Sequence, residues 1–166
     1  MQRALVLAVS ARCVDSPETK QPRDAKATRQ FQTEITPDMA KFTCDHVHLR
    51  SLDPEAAAQF YVDMLGAVPV SRTPIGQFLR VVVNLGGLNL FIEQVSTSTP
   101  RPPEPPFLGV EHIGLAVTEF DATVAELVAK GVTFAIKPTS PRPGIKIAFV
   151  QAPDGVRVEI LERSPV

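Results

Sequence analysis

Tryptophan is absent from this 166-residue chain, and tyrosine occurs once, at Tyr61. A cup lined with large aromatic rings, the usual device for stacking a planar ligand, is hard to build from that composition. Cysteine is scarce. Cys13 and Cys44 make neither a disulfide framework nor a zinc spacing, and Cys44 reads most simply as a small buried residue. No sign of charge dominates: 17 Lys and Arg stand against 18 Asp and Glu, a formal net charge of −1. Without a broad basic surface, nucleic acid is not an expected partner. No apolar run approaches the roughly 20 residues of a membrane-spanning helix, so no membrane partner is expected. Proline, by contrast, is abundant: 16 residues, about twice the average usage, which argues against a helical bundle. Hydrophobic residues make up 44% of the chain, enough for the core of one domain.

Residues 1–40 differ from the remainder. Arg3, a short apolar stretch and a small-residue end imitate an export signal, but the stretch is at the low end of the required length. A polar, proline-punctuated segment without periodicity follows. This region is expected to be a poorly structured extension, and the protein cytoplasmic, with export as the alternative.

After residue 40 the chain repeats itself. Cys44-Asp-His46-Val-His48-Leu49 resembles Val110-Glu-His112-Ile-Gly-Leu115, with His46 and His112 66 residues apart. Both stretches alternate as strands do. A helix pattern follows each. Asp53-Pro54 starts the first, whose apolar face is Ala57, Phe60, Tyr61, Met64 and Leu65, and Gly66 stops it. Phe120, Val124, Leu127 and Val128 form the face of the second, which Gly131 stops. Three more strands are expected in each half, near 67–72, 77–85 and 88–95, then near 132–137, 145–151 and 156–162. The expected fold is α+β, with two tandem βαβββ modules at about 41–96 and 108–163 in one domain, 41–163. The proline-rich segment 97–107 reads as an extended linker.

The strand Asp45-His46-Val47…Leu49, the helix from Asp53 through Phe60-Tyr61 to Leu65-Gly66, the stretch Gly109-Val-Glu-His112-Ile-Gly-Leu, and Pro153-Asp-Gly155-Val-Arg-Val-Glu159-Ile-Leu161 together resemble the vicinal oxygen chelate superfamily, the glyoxalase, bleomycin-resistance and dioxygenase group. The resemblance covers about residues 41–163. It implies a cupped mixed sheet with helices on its outer face, and a divalent metal in the cup. It also implies a homodimer, since related chains often complete their cups with a partner's strands; the open sheet edges ask for such cover.

Strand alternation predicts which side chains line the cup. With Val47 and Leu49 toward the helix, His46, His48 and Arg50 face away from it. Ile113, Leu115 and Val117 leave His112, Gly114 and Ala116 on the cup side. Val156, Val158 and Ile160 leave Arg157, Glu159 and Leu161. Leu79, Val81 and Val83 leave Phe78, Arg80, Val82 and Asn84. Ile145, Ile147 and Phe149 leave Lys146, Ala148 and Val150. Two imidazoles and a carboxylate on one concave face suit Zn, Ni, Mn or Fe(II). His46, His112 and Glu159 are therefore candidate ligands of one divalent ion.

In metal-dependent relatives the fourth strand also supplies a Glu or Gln. A constant shift of 66 assigns Glu93 to that place, whereas matching the hydrophobic register assigns Phe91. A four-ligand site suits a glyoxalase-type lyase or isomerase, in which Glu159 or Glu93 is the base and a chelating small molecule is the substrate. Three ligands are the set of extradiol-type dioxygenases. A metal-free, drug-binding module is the non-enzymatic alternative. His48 is open to service as ligand, base or cup-wall donor. Arg80 and Lys146, also 66 apart, suit a carboxylate or phosphate on the substrate.

Overall fold

The structure, a computed structural model, describes residues 41–165; the expectations for residues 1–40 fall outside them. Eight strands and two helices run in the order β1 (His46–Ser51), α1 (Pro54–Leu65), β2 (Val68–Ile75), β3 (Phe78–Leu85), β4 (Leu88–Gln94), β5 (Ile113–Ala116), α2 (Phe120–Ala129), β6 (Phe134–Arg142), β7 (Ile145–Gln151) and β8 (Arg157–Arg163). They form two four-stranded sheets, ordered β1-β4-β3-β2 and β5-β8-β7-β6. The fold is thus α+β, with two βαβββ modules. In each, the first strand pairs in parallel with the last, and the other pairings are antiparallel. The parallel pairing follows from the helix, which carries the chain across the sheet. No helix among the described residues is long and apolar enough to cross a membrane.

Local chemistry fixes the helix ends. The Asp53 side chain accepts from the backbone N–H of Glu55 (3.2 Å) and Ala56 (3.0 Å), Pro54 occupies the first turn, and Gly66 closes α1 in the left-handed region at φ 71°. In α2 the cap comes from another element: Glu162 of β8 accepts from the Phe120 N–H at 2.9 Å. One face of each sheet packs on its helix. Leu90, Ile92, Val158 and Ile160 are buried on the helix side with Tyr61 and Leu127, each large aliphatic side chain contributing about 1.5–3 kcal/mol of transfer free energy. Val128, expected on the buried face of α2, is exposed, and so is Cys44, which precedes β1.

The modules are not related by one constant shift. His48 is opposite Phe91 in the β1/β4 ladder and Gly114 is opposite Glu159 in the β5/β8 ladder. The shift is 66 in the first strands and 68 in the last. Between β3 and β7 it is 67, because Val83 pairs with Leu90 and Val150 with Val158. One added residue reverses which face a strand residue occupies; two restore the face one pleat further on.

Candidate functional site

β1 turns His46, His48 and Arg50 away from α1, and β4 and β3 add Phe91, Glu93 and Arg80 to the same face. The His46 ring stacks on Phe91, with centroids 4.1 Å apart and planes inclined by 13°. Its Nδ1 donates to Asp45 at 2.7 Å. In the second module His112 stands immediately before β5 and repeats this chemistry: its Nδ1 bonds the Glu111 carboxylate, and its ring meets the edge of Phe149 at 5.0 Å. The His112 Nε2 lies 3.5 Å from Glu159 Oε2. An acidic residue one position earlier thus engages Nδ1 of each histidine, leaving Nε2 available to a ligand; imidazoles that ligate metals are commonly oriented this way. Glu111 also pairs with Arg157, whose guanidinium lies over Phe149 at 4.6 Å. Neither these carboxylate–imidazole pairs nor Arg157 entered the sequence-derived site, although Asp45-His46 and Glu111-His112 carried the signal.

Glu93 occupies a different setting. One carboxylate oxygen takes a hydrogen bond from Arg50, and the other takes two from Arg80, of which the Nε–H bond is 2.9 Å. His48 Nε2 lies 3.5 Å from Glu93 Oε2. Hydrogen bonding from Arg80, reinforced by Arg50 and opposed by desolvation, holds the Glu93 carboxyl below the usual carboxylate range. Partial burial and then the Arg50 charge lower the His48 imidazole, with Glu93 acting against them. The register corrects the assignment made from the constant shift: Phe91, not Glu93, stands at the place equivalent to Glu159, and Glu93 lies two residues further along, held by guanidiniums.

A second correction concerns Lys146. Lys146 is opposite Glu162, while Ile147 and Phe149 are opposite Leu161 and Glu159. Ile147 and Phe149 therefore share the cup face, and Ala148 and Val150 are buried toward the helix. Lys146 points to α2 and pairs with Asp121 at 2.6 Å, a bond that raises its ammonium pKa. The shift of 67 between β3 and β7 makes Ile147, not Lys146, the counterpart of Arg80.

Among the described residues, no three His, Cys, Asp or Glu side chains are grouped to hold a metal ion. The donor types nevertheless suit a divalent cation: His112 and Glu159 form an adjacent nitrogen–oxygen pair, and His46 presents an equally oriented imidazole on the other module. A cleft of about 500 Å³ runs between the edges of the two modules, with His48, Arg50, His112 and Arg157 in its wall.

Two mixed sheets of matching βαβββ order, with a histidine at the start of each, define the class. The family model of the Glyoxalase/Bleomycin resistance protein/Dioxygenase superfamily matches residues 43–160, and the chain belongs to that superfamily. No curated protein matches it. Among solved structures it is similar to a glyoxalase family protein from Enterococcus faecalis, with 25% identity and a TM-score of 0.62, over 74% of this chain and 98% of that one. It also shares its fold with a fosfomycin resistance protein, FosX, from Listeria monocytogenes, determined with Mn(II) and 1S,2S-dihydroxypropylphosphonic acid. There the identity is 18% and the TM-score 0.57, covering 77% of this chain and 96% of that one.

Proposed function

We propose that the protein is a metal-dependent enzyme of the glyoxalase type. It would act on a small molecule that presents two neighbouring oxygens to a divalent ion held by His46, His112 and Glu159. The observation that carries this reading is the pairing of His112 Nε2 with Glu159 at 3.5 Å, with Nδ1 tied back to Glu111. His46, whose Nδ1 is tied back to Asp45, is the third donor, and a second copy of the chain brings it to the His112–Glu159 pair in a homodimer. When bound, the cation supplies Lewis acidity that favours negative charge on the substrate oxygens. Glu159 takes the proton from the carbon beside the carbonyl. Glu93 is unsuited to that task, because two guanidiniums hold its carboxylate and weaken it as a base. Gly114, opposite Glu159, has no side chain and leaves the carboxylate accessible.

This three-donor set is also that of an extradiol-type dioxygenase. That second reading is less well supported, because the ring of Tyr61, the sole tyrosine, is buried on the helix side of the sheet, away from the cup. The test is to load the full-length protein with Zn, Ni, Mn or Fe(II) and assay two reactions. Conversion of the glutathione–methylglyoxal hemithioacetal, or solvent deuterium exchange next to its carbonyl, supports the isomerase reading. Oxygen uptake with a catechol supports the dioxygenase reading. A protein that retains none of the four metals is a binding module.

A further inference from the structure

The two histidines are not held equally. The register of β1 on β4 puts His46 opposite Asn89. In the second module Ile113 is opposite Val158, so His112, one residue earlier, stands beside Arg157. Asn89 is committed to its own sheet, its Oδ1 accepting from Asn84 at 2.8 Å. Arg157 instead pairs with Glu111, the carboxylate that bonds His112 Nδ1. The two Glu111 oxygens are divided between these partners: Oε1 faces the guanidinium and Oε2 the imidazole.

Arg157 is itself fixed. It lies on β8 two residues before Glu159, so both side chains face the cup, with Cα positions about 7 Å apart. Its guanidinium lies over the Phe149 ring at 4.6 Å, and its side chain is only 13% exposed. The His112 ring meets the same Phe149 ring edge-on, with centroids 5.0 Å apart. Arg157, Glu111, His112 and Phe149 therefore close a circuit of contacts in which each planar group restrains the next. The first module has no such circuit. Asp45, which bonds His46, is largely exposed, and among the described residues it pairs with no Lys or Arg.

We infer that Arg157 is a positioning residue of the metal site: by fixing the Glu111 carboxylate, it keeps His112 Nε2 directed at the place beside Glu159 that a divalent ion would take. This role rests on the proposed function in taking His112 and Glu159 as ligands, and goes beyond it in giving the two modules unequal parts. The second module brings a preset pair of donors. The first brings His46, whose orienting carboxylate is open to water. Charge alone acts in the opposite direction. A guanidinium near a cation repels it, so if Arg157 acted only through its charge, removing it would tighten metal binding. Removing a positioning residue weakens metal binding, and the sign separates the two.

The test is calorimetric titration of the full-length protein, stripped of metal with a chelator, with Zn; urea denaturation checks that each variant is folded. Arg157→Gln should weaken Zn binding about tenfold, the lower end of the range for partners of a ligating histidine. Arg157→Lys keeps the charge and loses the planar fork, and should fall between Arg157→Gln and wild type. Arg163→Gln removes an exposed arginine at the end of the same strand and should leave Zn binding unchanged. In a Glu111→Gln background, Arg157→Gln should weaken binding little further, because its path to His112 is already cut. In the metal-free protein, the His112 Nδ1–H resonance should be sharp in wild type and broadened in folded Arg157→Gln, a change that lower stability alone does not produce. Unchanged or tighter Zn binding in Arg157→Gln overturns the inference while wild-type binding stands, and so does an equal loss with and without Glu111. A wild-type protein that binds none of Zn, Ni, Mn and Fe(II) overturns the proposed function and this role with it.

Discussion

Replacing Glu111 by Gln tests whether His112 is oriented for a metal. Glu111 bonds Nδ1 of His112 and pairs with Arg157, so the substitution keeps the shape and removes the charge that holds the imidazole. Loss of such an orienting carboxylate typically lowers metal affinity by about 10- to 100-fold, equivalent to about 1.4–2.7 kcal/mol. Asp45 makes the corresponding bond to His46 but is 81% exposed, against 28% for Glu111. Water competes for its bond, and Asp45→Asn should have a smaller effect. Glu111→Gln has a second consequence: Arg157, 13% exposed, loses its counter-charge, at a cost of about 1–3 kcal/mol of stability. Calorimetric titration with Zn or Mn measures the first effect and urea denaturation of the metal-free protein the second. Unchanged metal affinity in Glu111→Gln, with the expected loss of stability, refutes the orienting role and leaves Glu111 a purely structural partner of Arg157.

Asp53→Ala removes the side-chain cap of α1 and should lower stability by about 1 kcal/mol, read as a lower urea midpoint. The Glu93 pKa is lowered in the folded chain, so its pairing stabilises the fold above the ordinary glutamate pKa and the benefit disappears as pH falls through the folded value; the difference in urea midpoint between wild type and Glu93→Gln should be present at about pH 6 and shrink toward about pH 3. Gly114→Ala places a methyl group 3.5 Å from Glu159 Oε2; stability should rise by about 0.4–1 kcal/mol while turnover falls, and a parallel rise in both would contradict the open approach assigned to Glu159.

The helix start at Asp53-Pro54, its stop at Gly66 and the inward faces of β1, β3, β5 and β8 were legible because each rests on local chemistry or on clear alternation of apolar and polar residues. β7 was not. Ile145, Ile147, Ala148, Phe149 and Val150 make both its faces apolar, so the alternation that assigned Ile145, Ile147 and Phe149 to the helix side carried no orientation there, and the spacing of 66 between Arg80 and Lys146 agreed with the wrong face. That shift grows by one residue before β3 counts against β7 and by another at the connection before β8, where Ala152 to Val156 replaces the tighter Gly86-Gly87 turn. The first increment reversed Lys146 to the helix side. The second kept Glu93 on the cup face but moved it about 7 Å from the place equivalent to Glu159. The contribution of Arg50 to the cup was visible only as parity, since its role depends on the cross-strand pairing with Glu93.

Metal content in mixed dimers tests the account most directly. His46→Ala and His112→Ala each remove one imidazole of the proposed set and should abolish most metal retention alone. If the donors meet across two copies, a purified heterodimer of the two variants keeps one complete site of the two, and should hold about half the metal of wild type. A heterodimer as empty as either parent would contradict a site shared between copies, and a wild-type protein that binds no divalent metal would contradict the metalloenzyme itself.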